Sequence, residues 1–213
     1  WGADLYFIKT ETDLTGAANY TVSGTSQLLS VPFALHAKTA SNVPNYKIGD
    51  FAHGGVIFWV DETNQHGLVC TITNQSSSIK WFEGSFRITQ ARGNGVYAGK
   101  ANNSIIIAAQ VALESDETVY AARLCNELEI TENNTIYGDW YLPSKFELNL
   151  MYQNNTIINT TASANGGENF VNNTYWSSTE ISDSNVWILN LSTGVKSSVF
   201  KSSQNYVRAI RSF

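Results

Sequence analysis

The chain has 213 residues, of which 43% are hydrophobic and 15% are charged, so it can bury the core of one sizeable domain. The formal net charge is −5 and the 13 Lys and Arg residues form no cluster, which excludes nucleic acids and anionic membrane surfaces as expected partners. No apolar run approaches the roughly 18 residues of a membrane span, and the low charge with abundant Asn, Ser and Thr favours an extracellular location.

Residues 1–45 differ in pattern from the rest and predict a short separate segment. Strands are predicted over Asp4–Thr10 and Asn19–Ser23. The range Thr25–Ala40 predicts an apolar strand that stops at Pro32 and an Ala-rich helix after it, because proline fits the first turn of a helix. A segment this short cannot bury its own apolar face, so we expect it to pack on the following domain, on a copy of itself or on a carrier fibre.

Residues 46–213 predict a head domain that opens with a hairpin. The run GGVIFWV, Gly54–Val60, predicts a buried strand, and Leu68–Thr73 predicts the return strand after a polar turn. Another short extended piece is predicted at Trp81–Phe82, and the glycine-rich range Ala91–Gly99 predicts a loop.

Three helices are predicted in the middle of the head domain. Ser104–Leu113 has a candidate Ser cap and a mostly apolar surface, which indicates burial on more than one side. In Thr118–Ile130, apolar residues recur every three positions and define a core-facing stripe. Ser144 and Glu147 form a capping box at the start of the third helix, and a long polar loop is predicted over Asn154–Thr174.

The C-terminal stretch Tyr175–Phe213 alternates apolar and small polar residues. This pattern predicts a hairpin that turns at Ser192–Gly194, followed by a final strand. Its outward positions are mostly Ser, Asn, Thr and Lys with scattered aromatics, and such a surface is typical of binding rather than catalysis.

Catalytic and metal-binding patterns give little support for an enzyme. The three histidines lack the spacing of a metal site, and no GxSxG nucleophile elbow occurs. The carboxylates that could pair for acid–base chemistry fit structural roles instead, since Glu147 caps a helix and the adjacent Asp61 and Glu62 suit a turn. We therefore expect no catalytic residue, no metal and no cofactor.

The two cysteines, Cys70 and Cys125, exclude a disulfide-dense scaffold and a four-cysteine zinc site. In an exported protein they could form a disulfide across a long loop, which would stabilise the fold by roughly 4 kcal/mol in the chain-entropy model. The alternative is two buried thiols, one on a strand and one on a helix. Sequence spacing does not decide between the two, because it carries no geometry.

Four separated motifs resemble one bacterial family: GDFAHGGVIFWVDETNQHGLVC, AARLCNEL, GDWYLPSKFELNLMY and the ending YWSSTE…VWILNLSTG…YVRAIRSF. The family is the domain first named from the C-terminus of a collagen-like adhesin, also called the major paralogous domain, and the resemblance covers residues 47–213. It implies an α+β, C-type-lectin-like fold with a small twisted antiparallel sheet flanked by helices, here preceded by a short N-terminal strand and helix segment. The ending also resembles the variable proteins of diversity-generating retroelements, and GTSQLLSVPFALHAKTA resembles a segment of surface and tail-fibre-like proteins of the Bacteroidetes.

The resemblance divides the C-terminal half into a framework and a ligand face. A hairpin held by the core on one side can change its other side without unfolding. The implied framework positions are Trp140, Leu142, Pro143, Tyr175, Trp176, Ser177, Ser178, Val207, Arg208 and Arg211. The implied ligand-binding residues are Ile181, Ser182, Asp183, Ser184, Asn185, Trp187, Lys196, Ser198, Phe200, Lys201, Ser203, Asn205 and Tyr206.

The sequence thus predicts an extracellular protein of a bacterial surface that binds a protein or glycan through its C-terminal hairpin and is not an enzyme. The alternative is a structural subunit of a surface fibre or appendage that uses the same surfaces for self-assembly. Residues 1–45 are expected to make a homo-oligomer or fibre contact in either case. Whether the hairpin face meets a foreign partner or another copy is left open by the sequence.

Overall fold

The computed structural model describes residues 7–13, 15–16, 20, 22–27, 44–82, 84, 86–111 and 118–213. The chain divides into two compact units, Trp1–Pro44 and Asn45–Phe213. The described part of the first unit contains an antiparallel pair of strands, β1 (Phe7–Thr12) and β2 (Val22–Gln27). Both strands extend further toward the C-terminus than predicted, and the helix predicted after Pro32 lies outside the described residues.

Two main sheets form the second unit. The first has the order β13-β5-β4-β3, with all neighbours antiparallel, and the second has the order β11-β10-β9-β12-β6. In the second sheet β9 and β12 are parallel and the other neighbours are antiparallel. The strands are β3 (Phe51–Ala52), β4 (Gly55–Val60), β5 (Gly67–Cys70), β6 (Ser76–Lys80), β9 (Thr174–Glu180), β10 (Asn185–Asn190), β11 (Lys196–Phe200), β12 (Gln204–Val207) and β13 (Ile210–Ser212).

The predicted β4–β5 hairpin and the C-terminal β10–β11 hairpin are both present. The extended piece predicted at Trp81–Phe82 is wrong in position, because the strand β6 ends at Lys80 and both aromatic residues are buried in the core. The polar residues near Thr131 form a small hairpin of β7 (Ile130–Glu132) and β8 (Thr135–Tyr137). Asn133 and Asn134 turn it with φ angles of 48° and 64°, a left-handed conformation that asparagine tolerates well.

The helices are α1 (Ala98–Val111), α2 (Ala121–Asn126), α3 (Lys145–Gln153) and α4 (Asn155–Ala164). The predicted start of α1 at Ser104 is wrong: Ser104 lies within the helix and its hydroxyl bonds back to the Lys100 carbonyl. Its buried side also differs from the prediction, since it carries Asn102, Asn103 and Gln110 beside Ile106. The second helix is shorter than predicted.

Helix α3 begins as predicted, with the Ser144 hydroxyl accepting from the Glu147 amide and the Glu147 carboxylate accepting from the Ser144 amide. The loop predicted over Asn154–Thr174 is wrong in its first half, because α4 occupies it. Helix α4 buries Ile158 and Ala162, so tertiary packing outweighs the weak helix preference of its Asn and Thr residues.

Two buried apolar clusters fill the second unit. One contains three tryptophans, Trp81, Trp140 and Trp176, and the other includes Phe58, Tyr175 and residues of α3 and α4. The unit is therefore mixed α and β with several antiparallel sheets and few helices, as predicted at that level. Among the described residues, no helix is long and apolar enough to cross a membrane.

Candidate functional site

The β10–β11 hairpin places five of the predicted ligand-binding residues on one face. In its register Asn185 lies opposite Phe200 and Trp187 lies opposite Ser198, and the pairing runs without a shift to Lys196. Residues directly opposite each other, and residues two apart on one strand, share a face of a sheet. Asn185, Trp187, Lys196, Ser198 and Phe200 are called the hairpin face below.

The hairpin face is open to solvent along its outer strand. Phe200 is 60% exposed and Lys196 and Ser198 are also exposed, while Asn185 and Trp187 are half-buried. The Lys145 ammonium lies 4.0 Å from the centre of the Trp187 ring, a cation–π contact. The face thus combines two aromatic rings, a serine, an amide and one cation, and the Lys145 ammonium lies beside it.

Lys145 was missed by the sequence reasoning. It stands at the first position of α3, and its main-chain N–H donates to the Thr179 hydroxyl at 2.9 Å, which ties the start of the helix to β9. The capping box located this helix start, but no pattern in the sequence indicates that it meets the Trp187 ring.

The turn between β9 and β10 borders one end of the hairpin face and carries four more predicted residues. Ile181 and Asp183 are exposed, and Ser182 and Ser184 are half-buried. The Ser182 hydroxyl accepts from the main-chain N–H groups of Ser184 and Asn185 at 3.3 and 3.1 Å. Ser182 therefore has a structural role in the turn, whereas Ile181 and Asp183 are free to contact a partner.

Lys201 does not belong to the face, which corrects the prediction. Its side chain is completely buried, and its ammonium donates to the Glu180 carboxylate at 2.5 Å and to the Arg87 carbonyl at 2.7 Å. Side chains alternate along the chain, so the residue after outward-facing Phe200 points inward. Burial lowers the pKa of Lys201, and the hydrogen bond and negative charge of Glu180 oppose that shift.

Asn205 and Tyr206 are also separated from the face, because they lie on β12 and strand β9 stands between β12 and β10. Asn205 is only 6% exposed and accepts a hydrogen bond from the Thr174 hydroxyl. The half-buried Tyr206 ring packs 5.3 Å from the ring of Tyr175. Ser203, half-buried in the turn after β11, donates its main-chain N–H to the Phe200 carbonyl at 2.9 Å and adjoins the face.

The predicted framework residues lie mostly in the core of the second unit. Nine are buried and Arg211 is half-buried. The Ser177 hydroxyl donates to the Trp187 carbonyl at 2.7 Å, and the Trp176 indole donates to the Ile79 carbonyl at 2.7 Å. Arg208 donates to the Thr71 and Glu168 carbonyls. Of these bonds, the one from Ser177 holds the main chain of the hairpin itself, at Trp187.

Glu180, at the end of β9, is a second anchor that the sequence reasoning did not identify. Its buried carboxylate accepts from the Thr89 amide at 2.8 Å, the Thr89 hydroxyl at 3.0 Å and the Gln90 amide at 2.9 Å, in addition to Lys201. It thereby joins the segment before α1 to the strand that precedes the hairpin. These donors satisfy the hydrogen-bonding capacity of the buried carboxylate.

Cys70 and Cys125 are free, buried thiols in the structure, which corresponds to the second of the two alternatives that the sequence left open. Cys70 lies on β5 and Cys125 on α2, in different apolar clusters. Burial raises the pKa of Cys70 to about 12 and shifts that of Cys125 in the same direction.

A small cavity of about 180 Å³ lies between α1 and the segment before α3, with Lys100, Asn103, Asp139, Trp140 and Tyr141 among its lining residues. Pockets that enclose small molecules usually measure about 300–1,000 Å³. The cavity is too small to replace the hairpin face as the candidate site.

The family model for the Lcl C-terminal domain matches residues 57–211, which is most of the second unit. The chain belongs to this family. No curated protein matches it. Among solved structures, a fimbrial protein from Bacteroides ovatus is similar, with a TM-score of 0.50 and 18% identity over 68% of this chain and 35% of that one. The chain spans about a third of the fimbrial protein's length, and at this identity the likeness shows a shared fold alone.

Proposed function

We propose that this protein is an adhesion or ligand-binding protein of a bacterial surface and that the hairpin face is its contact surface. The observation that carries the proposal is that Trp187, Phe200, Ser198 and Lys196 share one face of a hairpin whose outer strand is exposed. Membership of the Lcl C-terminal domain family supports a surface role, and the C-type-lectin-like fold and the retroelement-like variation of the ending are parts of the same proposal.

The composition of the face suits recognition of a protein or a glycan. Aromatic rings supply contact area at a low cost in side-chain entropy, and small polar side chains adapt their hydrogen bonds to a partner. Lys145 and Lys196 add positive charge to a protein whose net charge is −5, so an acidic group on the ligand would find a local match. The buried bonds of Ser177, Trp176 and Glu180 hold the face in one geometry.

The test compares Trp187→Ala and Phe200→Ala with Ile136→Ala. Ile136 is 64% exposed on the separate β7–β8 hairpin, so it is a matched control for loss of an exposed apolar side chain. The probes are an array of neutral and acidic oligosaccharides and a panel of immobilised extracellular-matrix proteins. We expect each face variant to weaken binding at least about tenfold, the effect of a central contact residue, with Ile136→Ala unchanged. Equal binding by all three variants would refute the assignment of the face.

We also propose that the domain binds without catalysing a reaction. The carboxylate with the most enzyme-like position, Glu147, accepts hydrogen bonds from the Ser144 and Gly99 amides and from the Tyr141 hydroxyl. Its structural bonds account for its burial. Incubation of the protein with the oligosaccharides it binds should leave their mass unchanged, and a shortened product would contradict this part of the proposal.

The second candidate function is a subunit of a surface fibre. It is favoured by the β1–β2 pair, in which Phe7 and Ile8 are 56% and 51% exposed. An isolated two-stranded pair is at best marginally stable, so these residues need a partner surface. The fimbrial character of the Bacteroides ovatus protein supports this candidate at the level of fold. Electron microscopy of the full chain separates the two functions, because filaments favour the fibre subunit and separate particles that bind a probe favour the adhesin.

A further inference from the structure

Strand β11 is the free edge of the five-stranded sheet, and the direction of its main-chain groups can be derived from its hydrogen bonds. The Asn190 amide donates to the Val195 carbonyl at 3.0 Å, and the Lys201 amide donates to the Ser184 carbonyl at 2.8 Å. Because antiparallel ladders alternate, Ser197 and Val199 also bond to β10. The N–H and C=O groups of Lys196 and Ser198 and the N–H of Phe200 therefore point away from the sheet.

Within the described part of the chain these five outward groups have no hydrogen-bond partner, whereas the Phe200 carbonyl accepts from Ser203. Lys196, Ser197 and Ser198 are all exposed, so no other described element covers the edge. A row of unpaired main-chain groups on a regular edge strand is a template for pairing with another strand.

The opposite edge of the same sheet is protected. Strand β6 pairs with β12 through a register shift between Asn205 and Val207, and the Ser78 amide is bonded to the Ser76 hydroxyl of its own strand at 3.1 Å. Bulges and local bonds of this kind block edge pairing. In contrast, the β10–β11 register has no shift, and no proline interrupts β11.

We propose that β11 pairs antiparallel with β11 of a second copy, about a twofold axis at Ser198. In this register Ser198 lies opposite Ser198 of the second copy, and Lys196 lies opposite Phe200. The outward groups of one strand then meet the outward groups of the other, as an antiparallel ladder requires. The Phe200 carbonyl accepts from Lys196 of the other copy with its second lone pair, beside the bond from Ser203. The two sheets join into one continuous sheet.

The side chains select this partner and this register. Each Lys196 ammonium meets the exposed Phe200 ring of the other copy, which is a favourable cation–π and packing contact. An axis at Lys196 would instead place two ammonium groups opposite each other, which is unfavourable. An axis at Ser197 would leave Phe200 of each strand without a strand partner. The register centred on Ser198 pairs all of β11.

The pairing sets two hairpin faces side by side on one sheet. A ligand with repeated epitopes could then engage both faces, so the dimer would bind it more tightly than either face alone. The pairing itself depends only on the β11 edge and is independent of what the face binds.

The direct test is Ser198→Pro in the full chain, measured by sedimentation against concentration. Proline removes the outward N–H and is tolerated on an edge strand whose N–H faces solvent. We expect the wild-type chain to form dimers and the variant to dissociate at least about tenfold more readily. Wild-type protein that stays monomeric up to about 1 mM, or a variant that dimerises as well as the wild type, would overturn the proposal.

Ser197→Pro is the matched control for folding. Ser197 is the neighbouring exposed serine, but its N–H bonds to β10, so its replacement should lower the melting temperature while Ser198→Pro leaves that of the diluted monomer unchanged. A large drop for Ser198→Pro would overturn the assignment of the outward N–H.

The register has its own test, which uses no proline variant. Lys196→Cys and Phe200→Cys proteins are mixed and treated with a short bis-maleimide, while Cys70 and Cys125 are buried and do not react. Cross-linked dimers should form in the mixture and far less in either protein alone. Equal cross-linking of Lys196→Cys with itself would refute the axis at Ser198.

Discussion

Replacing Lys201 with Met tests whether the buried ion pair supports the hairpin. The change leaves the Glu180 carboxylate buried without a positive partner and removes the bond to the Arg87 carbonyl. Removing one partner of a buried pair costs about 3–5 kcal/mol. Glu180 keeps its bonds from Thr89 and Gln90, so we expect the free energy of unfolding to fall by about 3 kcal/mol, near the lower end of that range. Urea unfolding followed by tryptophan fluorescence measures this free energy, and the m value should be the same for the variant and the wild type.

Lys196→Met is the control, because it makes the same substitution at an exposed lysine on the same hairpin. Its cost should stay within about 0.5 kcal/mol in dilute protein. The double variant Glu180→Gln/Lys201→Met should lose less free energy of unfolding than the two single variants together, since the two side chains share one interaction. If Lys201→Met costs no more than Lys196→Met, the ion pair does not stabilise the hairpin and the reasoning fails.

Three further experiments test other parts of the structure. Burial raises the pKa of the Glu147 carboxyl in the folded protein. The free energy of unfolding of the wild type, compared with that of Glu147→Gln, should therefore be highest below about pH 4.3 and should fall as the pH rises through the raised pKa. Parallel urea titrations that show no pH-dependent difference between the two proteins would contradict this. Gly194→Ala should cost about 1–3 kcal/mol more than Gly166→Ala by thermal unfolding, because both glycines have positive φ but only at Gly194 would a Cβ lie 2.5 Å from an aromatic ring. A maleimide should not label Cys70 or Cys125 in the folded protein, and it should label both once the protein is unfolded, with no reductant added. A disulfide found by intact mass would refute the buried thiols.

The parts of the fold that the sequence predicted well are local. The capping box of Ser144 and Glu147 needs only residues three apart, and the Gly54–Val60 strand and the C-terminal hairpin show short-range patterns. The start of α1 was not predictable in this way. Its Gly99 amide is bonded by the Glu147 carboxylate of α3, so a residue far along the chain supplies the cap.

The hairpin face was predictable to the extent that strand alternation governs it. The five residues of the hairpin face follow that rule, and the register of β10 and β11 places them on the same side of the sheet. The prediction was wrong at Lys201 because it departed from that rule, since the residue after outward-facing Phe200 points inward. It was wrong at Asn205 because the chain continues after β11 into β12, and β9 stands between β12 and β10. Lys145 reaches the face from a different helix, and only the tertiary structure brings it to Trp187.

The bonds that hold the hairpin use few side chains of its exposed face. Ser177 bonds the main-chain carbonyl of Trp187, and Glu180 and Lys201 are paired inside the protein. The exposed Ser198 side chain takes no part in these bonds, whereas the Ser182 hydroxyl closes the turn before β10. Positions such as Ser198 can therefore change chemistry at little cost in folding, while Ser182 cannot. A surface that varies on a fixed support can acquire new ligands without losing its fold, and this separation is the strongest physical argument for a recognition role.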